Sequence, residues 1–245
     1  MSVNMRIIQL VFVLVFLNIG NVSAKELRLA VGLALPPYVL SDTDTGMELD
    51  IVQTVFENLG HTVKPVYVPF ARVVKHLDQG KVDGAITINE NSGIQNVFYT
   101  DSHITYQNVA VSLKSNNYKI DTISDLEKYR ILAFQNATKY LGDEFAKMAS
   151  DNPKYKETAK QKAQIPMLFL DRTQSLVLDI NIFKYFRKNN TDHDVSAPVT
   201  IHEIFPKTHY RTALVNEKLR DDFNLELAKL RASGKYKKII SNYVD

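Results

Sequence analysis

The sequence predicts an α/β protein built on parallel sheets with helices on both faces. Two observations support this fold class. Between residues 27 and 88, short apolar runs of strand length alternate with segments of helical spacing, and the same alternation starts again after residue 124. Such alternation is typical of parallel sheets. An apolar content of 45% excludes intrinsic disorder, and the length allows one large domain or two small lobes.

The first unit contains three strands and two helices. The helix that begins at Met47 has apolar side chains three and four residues apart, which is the spacing of one buried helix face. Gly60 and Gly80 are suited to end the two helices. The predicted elements are strand 27–33, helix 47–59, strand 63–68, helix 71–77 and strand 82–88.

The second unit begins at Ser124, which forms a capping-box pattern with Glu127. The polar, lysine-rich segment 151–162 is expected to be a solvated surface rather than a binding patch. Gly234 divides the last helical segment in two. The predicted elements are strand 130–134, helix 139–149, strand 174–178, helix 182–188, strands 201–205 and 212–215, and helical segment 219–244.

The first 24 residues have the three parts of a secretory signal peptide. A charged start ending at Arg6 precedes an apolar run of about 14 residues, and Val22 and Ala24 have the size required before a cleavage site. A membrane anchor is the alternative, but the run is shorter than the ~20 residues that span a bilayer. The sequence therefore predicts cleavage after Ala24, export to the periplasm and a soluble mature chain.

Composition excludes several function classes. With no Cys, the chain can form neither disulfides nor a thiolate metal site. The net charge is +3, or +2 without Arg6, which is too balanced to indicate a nucleic-acid partner. The six His residues lack paired ligand spacing, and nucleotide-binding and nucleophile-elbow motifs are absent. No metal, no cofactor and no enzymatic activity are therefore expected.

A series of short motifs resembles one family. The chain is similar, over residues 25–245, to periplasmic solute-binding proteins of the polar amino-acid type, the bacterial extracellular family 3. The motifs occur in the family's order at residues 37–38 (PY), 46–50 (GMELD), 80–84 (GKVDG), 97–102 (VFYTDS), 123–126 (ISDL) and 230–243 (LRASGKYKKIISNY).

This resemblance implies the two-lobed fold of type II periplasmic binding proteins, with discontinuous lobes and a ligand between them. The first lobe would comprise 25–108 and 212–245, the second 115–207, and the hinge 109–114 and 208–211. Closure of the cleft would exclude water from a small polar ligand. A monomer is expected, with the permease of an ABC transporter or the periplasmic part of a receptor as its membrane partner.

The resemblance also implies candidate ligand-binding residues in the first lobe. Tyr38, in a loop with two prolines, and Phe70, 13 residues before Asp83, are candidate aromatic walls of the cleft. Phe70 could instead be a core residue at a helix start. Arg72 could pair with an acidic ligand or form a surface ion pair on its helix.

In the second lobe, the resemblance places ligand contacts at two strand ends. Asn136 and Thr138 lie in the turn where the family offers backbone N–H groups and a hydroxyl to the carboxylate of its ligand. Asp179 matches the residue that binds the ligand's α-ammonium group. Each could also cap the helix that follows it.

The chain departs from the family pattern at the arginine that binds the ligand's α-carboxylate in a bidentate fork. That position falls at or near Gly93, and no Arg occurs between Arg72 and Arg130. Arg72 could substitute, the ligand could lack a carboxylate there, or ligand binding could have been lost. We expect cationic or amide-like ligands to bind better than the common amino acids.

The sequence therefore predicts an exported binding protein for a small polar, amino-acid-like or cationic ligand. One alternative is an enzyme of the same fold, such as a cyclohexadienyl-type dehydratase, for which Glu48 or Glu90 would be the acid or base. A second alternative is a periplasmic interaction protein without a ligand.

Overall fold

A computed structural model describes residues 25–32 and 34–245, and for Phe70 it describes the backbone only. The predicted signal peptide lies outside the described residues. Within them, no helix combines the length and the apolar character that crossing a bilayer requires.

Ten strands are described, and all belong to one sheet. The strands are β1 Glu26–Val31, β2 Thr62–Tyr67, β3 Gly84–Ile88, β4 Phe98–Tyr99, β5 Ile104–Leu113, β6 Ile131–Phe134, β7 Tyr155–Thr158, β8 Ser175–Asp179, β9 Val199–His202 and β10 Lys207–Leu214. Their order is β2-β1-β3-β10-β5-β8-β6-β7, with β4 paired to β10 and β9 paired to β5.

Helices connect the strands and cover the sheet. The α-helices are α1 Met47–Asn58, α2 Val73–Asp78, α3 Ala137–Tyr140, α4 Asp143–Asp151, α5 Gln161–Phe169, α6 Ile180–Lys188, α7 Glu217–Ala232 and α8 Lys235–Val244. Short 3₁₀ turns occur at Phe70–Arg72, Glu90–Ser92, Lys114–Asn116 and Ser124–Lys128. We refer to β1–β4 with α1, α2, α7 and α8 as the first half, and to β6–β9 with α3–α6 as the second half.

β5 and β10 connect the two halves. Residues 104–107 of β5 pair with β10, whereas residues 108–111 pair with β8 and run antiparallel to it. β1 is parallel to β2 and β3, and β6 is parallel to β7 and β8. β3 is antiparallel to β10, β10 to β5 and β5 to β8, so β3 and β8 run in opposite directions. The carboxyl ends of the parallel strands in one half therefore face those of the other. The predicted crossings at 109–114 and 208–211 overlap with β5 and β10.

The core is continuous across both halves. In the first half, the ring of Phe56 on α1 lies 5.1 Å from that of Phe223 on α7. The same apolar cluster includes Leu176 and Phe183 of the second half. Each such side chain contributes about 1.5–3 kcal/mol when it is fully buried, so contact between the halves is part of the hydrophobic stabilisation.

Several predicted elements differ from the structure. The helix predicted at 139–149 is two helices, α3 and α4, separated at Gly142, whose φ is 88°. The predicted capping box is absent, because the side chain of Ser124 forms no capping hydrogen bond with the 3₁₀ turn. Asp125 instead accepts hydrogen bonds from the backbone N–H groups of Asp121 and Thr122. The segment predicted to be a solvated surface contains β7.

Gly46 precedes α1 and allows the loop after β1 to pack tightly against the start of that helix. Its φ is 126°, in a region that other residues rarely adopt. A Cβ at this position would lie 2.7 Å from the carbonyl carbon of Tyr38 and closer still to its oxygen. A glycine is therefore needed both for its dihedral angles and for the absence of a side chain.

We expect Gly46→Ala to lower the free energy of unfolding by about 3 kcal/mol or more, because strain and backbone overlap add. Gly93→Ala is the matched control, since Gly93 has a φ of 68° and nothing lies within 4 Å of an added Cβ. The control should cost about 1 kcal/mol. Urea unfolding measures both, and equal losses would contradict the role of close packing at Gly46.

Candidate functional site

The candidate site lies where the carboxyl ends of the two halves face each other. The loop after β1, the turn after β3 and the ends of β6, β7 and β8 all meet this boundary. In open α/β sheets, ligands bind at the carboxyl ends of the strands. Groups that recognise a ligand are therefore expected at the boundary between the halves.

A groove of about 560 Å³ opens at this boundary and receives residues from both halves. Leu35 and Pro36 of the first half form one wall, and Pro166 and Phe186 of the second half are among the apolar residues opposite. Lys160, Lys162, Asp192 and His193 are the charged or titratable side chains that line it. The groove has the size of a small-molecule site and a mainly apolar lining with a few polar groups.

Tyr38 and Asp179 join the two halves, but neither they nor Asn136 and Thr138 are among the residues that line this groove. The hydroxyl of Tyr38 donates to Asp179 Oδ1 at 2.8 Å and accepts a hydrogen bond from Asn181 Nδ2 at 3.1 Å. The Tyr38 ring has 0% exposure and stacks on Tyr106 with centroids 3.5 Å apart. Tyr38 thus has no surface left to form a wall for a ligand.

Asp179 has its hydrogen bonds supplied by the protein. It is the N-cap of α6, accepting from the backbone N–H groups of Asn181 and Ile182, and its Oδ2 accepts from that of Gln107 at 2.8 Å. Burial raises the pKa of Asp179 to about 6, although these hydrogen bonds and that of Tyr38 lower it. A ligand ammonium group would have to displace Tyr38 to reach this carboxylate.

The turn after β6, residues 135–138, is occupied by a carboxylate of the protein itself. Glu157 Oε2 accepts from the Asn136 N–H at 2.7 Å, and Oε1 accepts from the Thr138 N–H at 3.3 Å and its hydroxyl at 3.4 Å. Tyr155 donates to Oε1 at 2.7 Å. Burial raises the pKa of Glu157, but these hydrogen bonds outweigh it and hold the pKa below its ordinary value. Neither Asn136 nor Thr138 caps α3 with its side chain.

Phe70 and Arg72 lie together in the 3₁₀ turn before α2. The side chain of Phe70 lies outside the described residues. Arg72 is exposed and forms no ion pair within the part of the chain that the structure describes.

Near Gly93, where the sequence lacks the expected arginine, a different arginine is found. Arg211 on β10 pairs in register with Ile88 at the end of β3. Its Nε lies 2.9 Å from Glu90 Oε1, and its Nη1 donates to the Thr100 carbonyl at 2.7 Å. Sequence reasoning assigned Arg211 only to the hinge, and pairing across the sheet gives no signal along the chain.

Glu48, one of the two candidate catalytic acids, is sealed in the first half. It has 0% exposure and accepts hydrogen bonds from Tyr106 and Thr87, both at 3.0 Å, while His103 Nε2 lies 2.9 Å from Oε1. Thr87 has a φ of 56°, which is rare for a β-branched residue and indicates strain. Among the described residues, no group of three or more His, Asp or Glu could hold a metal ion.

The sequence of residues 27–245 matches the bacterial extracellular solute-binding proteins, family 3. The chain belongs to this family. Solved structures with the same two-lobed, type II periplasmic binding protein fold include an ancestral cationic amino acid solute-binding protein, with a TM-score of 0.70 at 19% identity, covering 90% of this chain and 96% of that one. Among curated protein sequences, none matches the chain.

Two further solved structures are a ligand-binding core and a sensor domain. The ligand-binding core of GluR0 in complex with L-glutamate has a TM-score of 0.66 at 17% identity, covering 91% of this chain and 100% of that one. A histidine kinase sensor domain similar to periplasmic binding proteins has a TM-score of 0.61 at 16% identity, covering 89% and 96%. At these identities the likeness shows the fold of the solute-binding protein and does not identify its ligand.

The raised pKa of Asp179 predicts a pH dependence of stability in this solute-binding protein. The folded state keeps a proton that the unfolded chain has released between about pH 4 and pH 6, so this contribution is present below pH 4 and lost as the pH rises through 6. It amounts to about 3 kcal/mol at most. Asp179→Asn should remove it while keeping a helix N-cap.

Urea unfolding of both proteins at about pH 4.5 and pH 7.5 measures this difference. Asp194→Asn is the control, because hydrogen bonds from Ser196 lower the pKa of Asp194 and its effect has the opposite sign. Parallel pH profiles for the parent protein and Asp179→Asn would contradict the prediction.

The buried network predicts unequal effects for the two candidate acids. Glu48→Ala leaves His103, Tyr106 and Thr87 without their acceptor inside the core and should cost about 3–5 kcal/mol of stability. Glu90→Ala removes a 61% exposed partner of Arg211 and should cost about 1 kcal/mol or less. Urea denaturation compares them, and similar losses would show that Glu48 is not structural.

Proposed function

We propose that this chain is an exported solute-binding protein that captures a small polar ligand lacking the free head group of an α-amino acid. The groove shared by both halves supports ligand capture, because closure of the halves would surround its contents. The lobes would be 25–108 with 212–245, and 115–207. The ligand-loaded form would present a surface to a transporter permease or to a receptor in the membrane.

Occupation of the Asn136–Thr138 turn by Glu157 is the observation that supports this ligand class. Asp179, the group expected to bind the ammonium of an amino acid, is also engaged, with Tyr38. Arg211, which lies opposite the end of β3, is paired with Glu90. An amino acid would compete with three internal interactions. An amine or amide without a carboxylate would avoid the competition at the turn and at Arg211.

Two other functions are the alternatives to ligand capture: an enzyme of the same fold and an interaction protein without a ligand. The enzyme alternative is disfavoured by the complete burial of Glu48 and by the pairing of Glu90 with Arg211. The ligandless interaction protein is favoured by the same internal pairing that argues against amino acids. Mass spectrometry of small molecules released from the purified protein on denaturation distinguishes a ligand from its absence.

Calorimetry with the twenty common amino acids and with matched decarboxylated compounds tests the proposal. We expect no common amino acid to bind more tightly than about micromolar, because one lost charged bidentate contact costs about 10-fold to 100-fold in affinity. Agmatine should bind more tightly than arginine, and cadaverine more tightly than lysine. A nanomolar dissociation constant for any common amino acid would overturn the proposed ligand class.

A pair of variants tests the location of the site. Leu35→Ser removes part of the apolar wall of the groove and should weaken any ligand identified in the panel by about tenfold. Leu225→Ser changes a leucine that is 66% exposed on α7 and should leave binding unchanged. Equal affinities for the two variants would place the ligand elsewhere.

A further inference from the structure

We infer that Glu157 is a specificity-determining residue, whose carboxylate occupies the donors that a ligand carboxylate would need and so excludes ligands that carry one. This inference deepens the proposed function and rests on it for its biological meaning. The physical occupation of the turn can be tested separately from any ligand.

The contacts of Glu157 account for the donors of the turn. Oε2 accepts a hydrogen bond from the Asn136 N–H, and Oε1 accepts hydrogen bonds from the backbone N–H and the hydroxyl of Thr138. A second carboxylate would therefore find these donors already used and would meet a negative charge in place of them. Like charges at contact distance are unfavourable even where water partly screens them.

Tyr155 holds Glu157 in this position. The two residues lie two apart on β7, so their side chains emerge on the same face of the strand, and the Tyr155 hydroxyl donates to Oε1. The Tyr155 ring packs edge-on against Phe145 of α4, with centroids 5.8 Å apart. Glu157 is thus supported by an aromatic residue that is itself packed against α4.

The same unit offers groups that suit a cation. Oε2 accepts a single hydrogen bond from the protein, so it keeps acceptor capacity for an ammonium or guanidinium group. On α3, Tyr140 is 74% exposed, and its ring stacks with that of Phe134 at a centroid distance of 6.5 Å. An anionic oxygen in the same unit as an exposed aromatic ring favours ligands that are positively charged and flat or apolar.

The experiment follows the backbone amides of Asn136 and Thr138 by NMR in the mature protein, using acetate as a carboxylate probe. In the parent protein, both amides should titrate with Glu157, with a midpoint below the ordinary value for glutamate, and acetate should leave them unmoved. In Glu157→Gln the pH titration should vanish. In Glu157→Ala, acetate should shift both amides at concentrations at least about tenfold lower than any that affect the parent.

Glu127→Ala, at an exposed glutamate of the second half, is the matched control and should behave as the parent. The amide spectrum itself reports whether each variant is folded, and Glu157→Gln preserves the side-chain volume if Glu157→Ala does not fold. The inference is overturned if the chemical shifts of the two amides do not titrate with Glu157. It is also overturned if acetate shifts these amides equally in the parent and in Glu157→Ala, or if acetate shifts them in neither protein. None of these outcomes depends on the amino-acid panel, which tests the proposed function alone.

Discussion

The direction of β5 is the constraint on which the rest of the site depends. This strand pairs first with β10, which leads to β3 of the first half, and then with β8 of the second half, and it is antiparallel to both β10 and β8. The parallel strands of each half must then point their carboxyl ends at those of the other half. Residues from distant parts of the sequence, such as Tyr38 and Asp179, meet there as a result.

Facing strand ends bring carboxylates and backbone donors together, and burial makes their pairing obligatory. An uncompensated buried charge is costly, whereas one with several hydrogen bonds can be retained. Asp179 and Glu48 each have their acceptors satisfied by the chain, one across the boundary and one within the first half. The same polar groups that could recognise a ligand therefore contribute to the stability of this arrangement.

Local patterns in the sequence predicted most of the helices and strands, because periodicity and glycine stops act over a few residues. The helix from Met47 begins where predicted. Asp179 caps α6, which is one of the two roles that the sequence suggested for it. β5 was recognised only as a crossing, and β7 was hidden in a lysine-rich segment. Both strands owe their pairing to neighbours far along the chain, and polar strands lack the apolar run that identifies a buried one.

The sequence predicted that the candidate residues lie at strand ends, but it did not predict the hydrogen bonds and ion pairs that they form. Motif order placed Asn136, Thr138 and Asp179 at strand ends, where the structure also has them. No spacing rule, however, could indicate that Glu157 reaches a turn 21 residues earlier or that Arg211 reaches Glu90. A family motif specifies where donors lie, while the free energy of binding depends on whether those donors are still free. In this chain Glu157 already accepts the hydrogen bonds of the turn. The ligand preference therefore depends on these internal hydrogen bonds and ion pairs, and not on the motif alone.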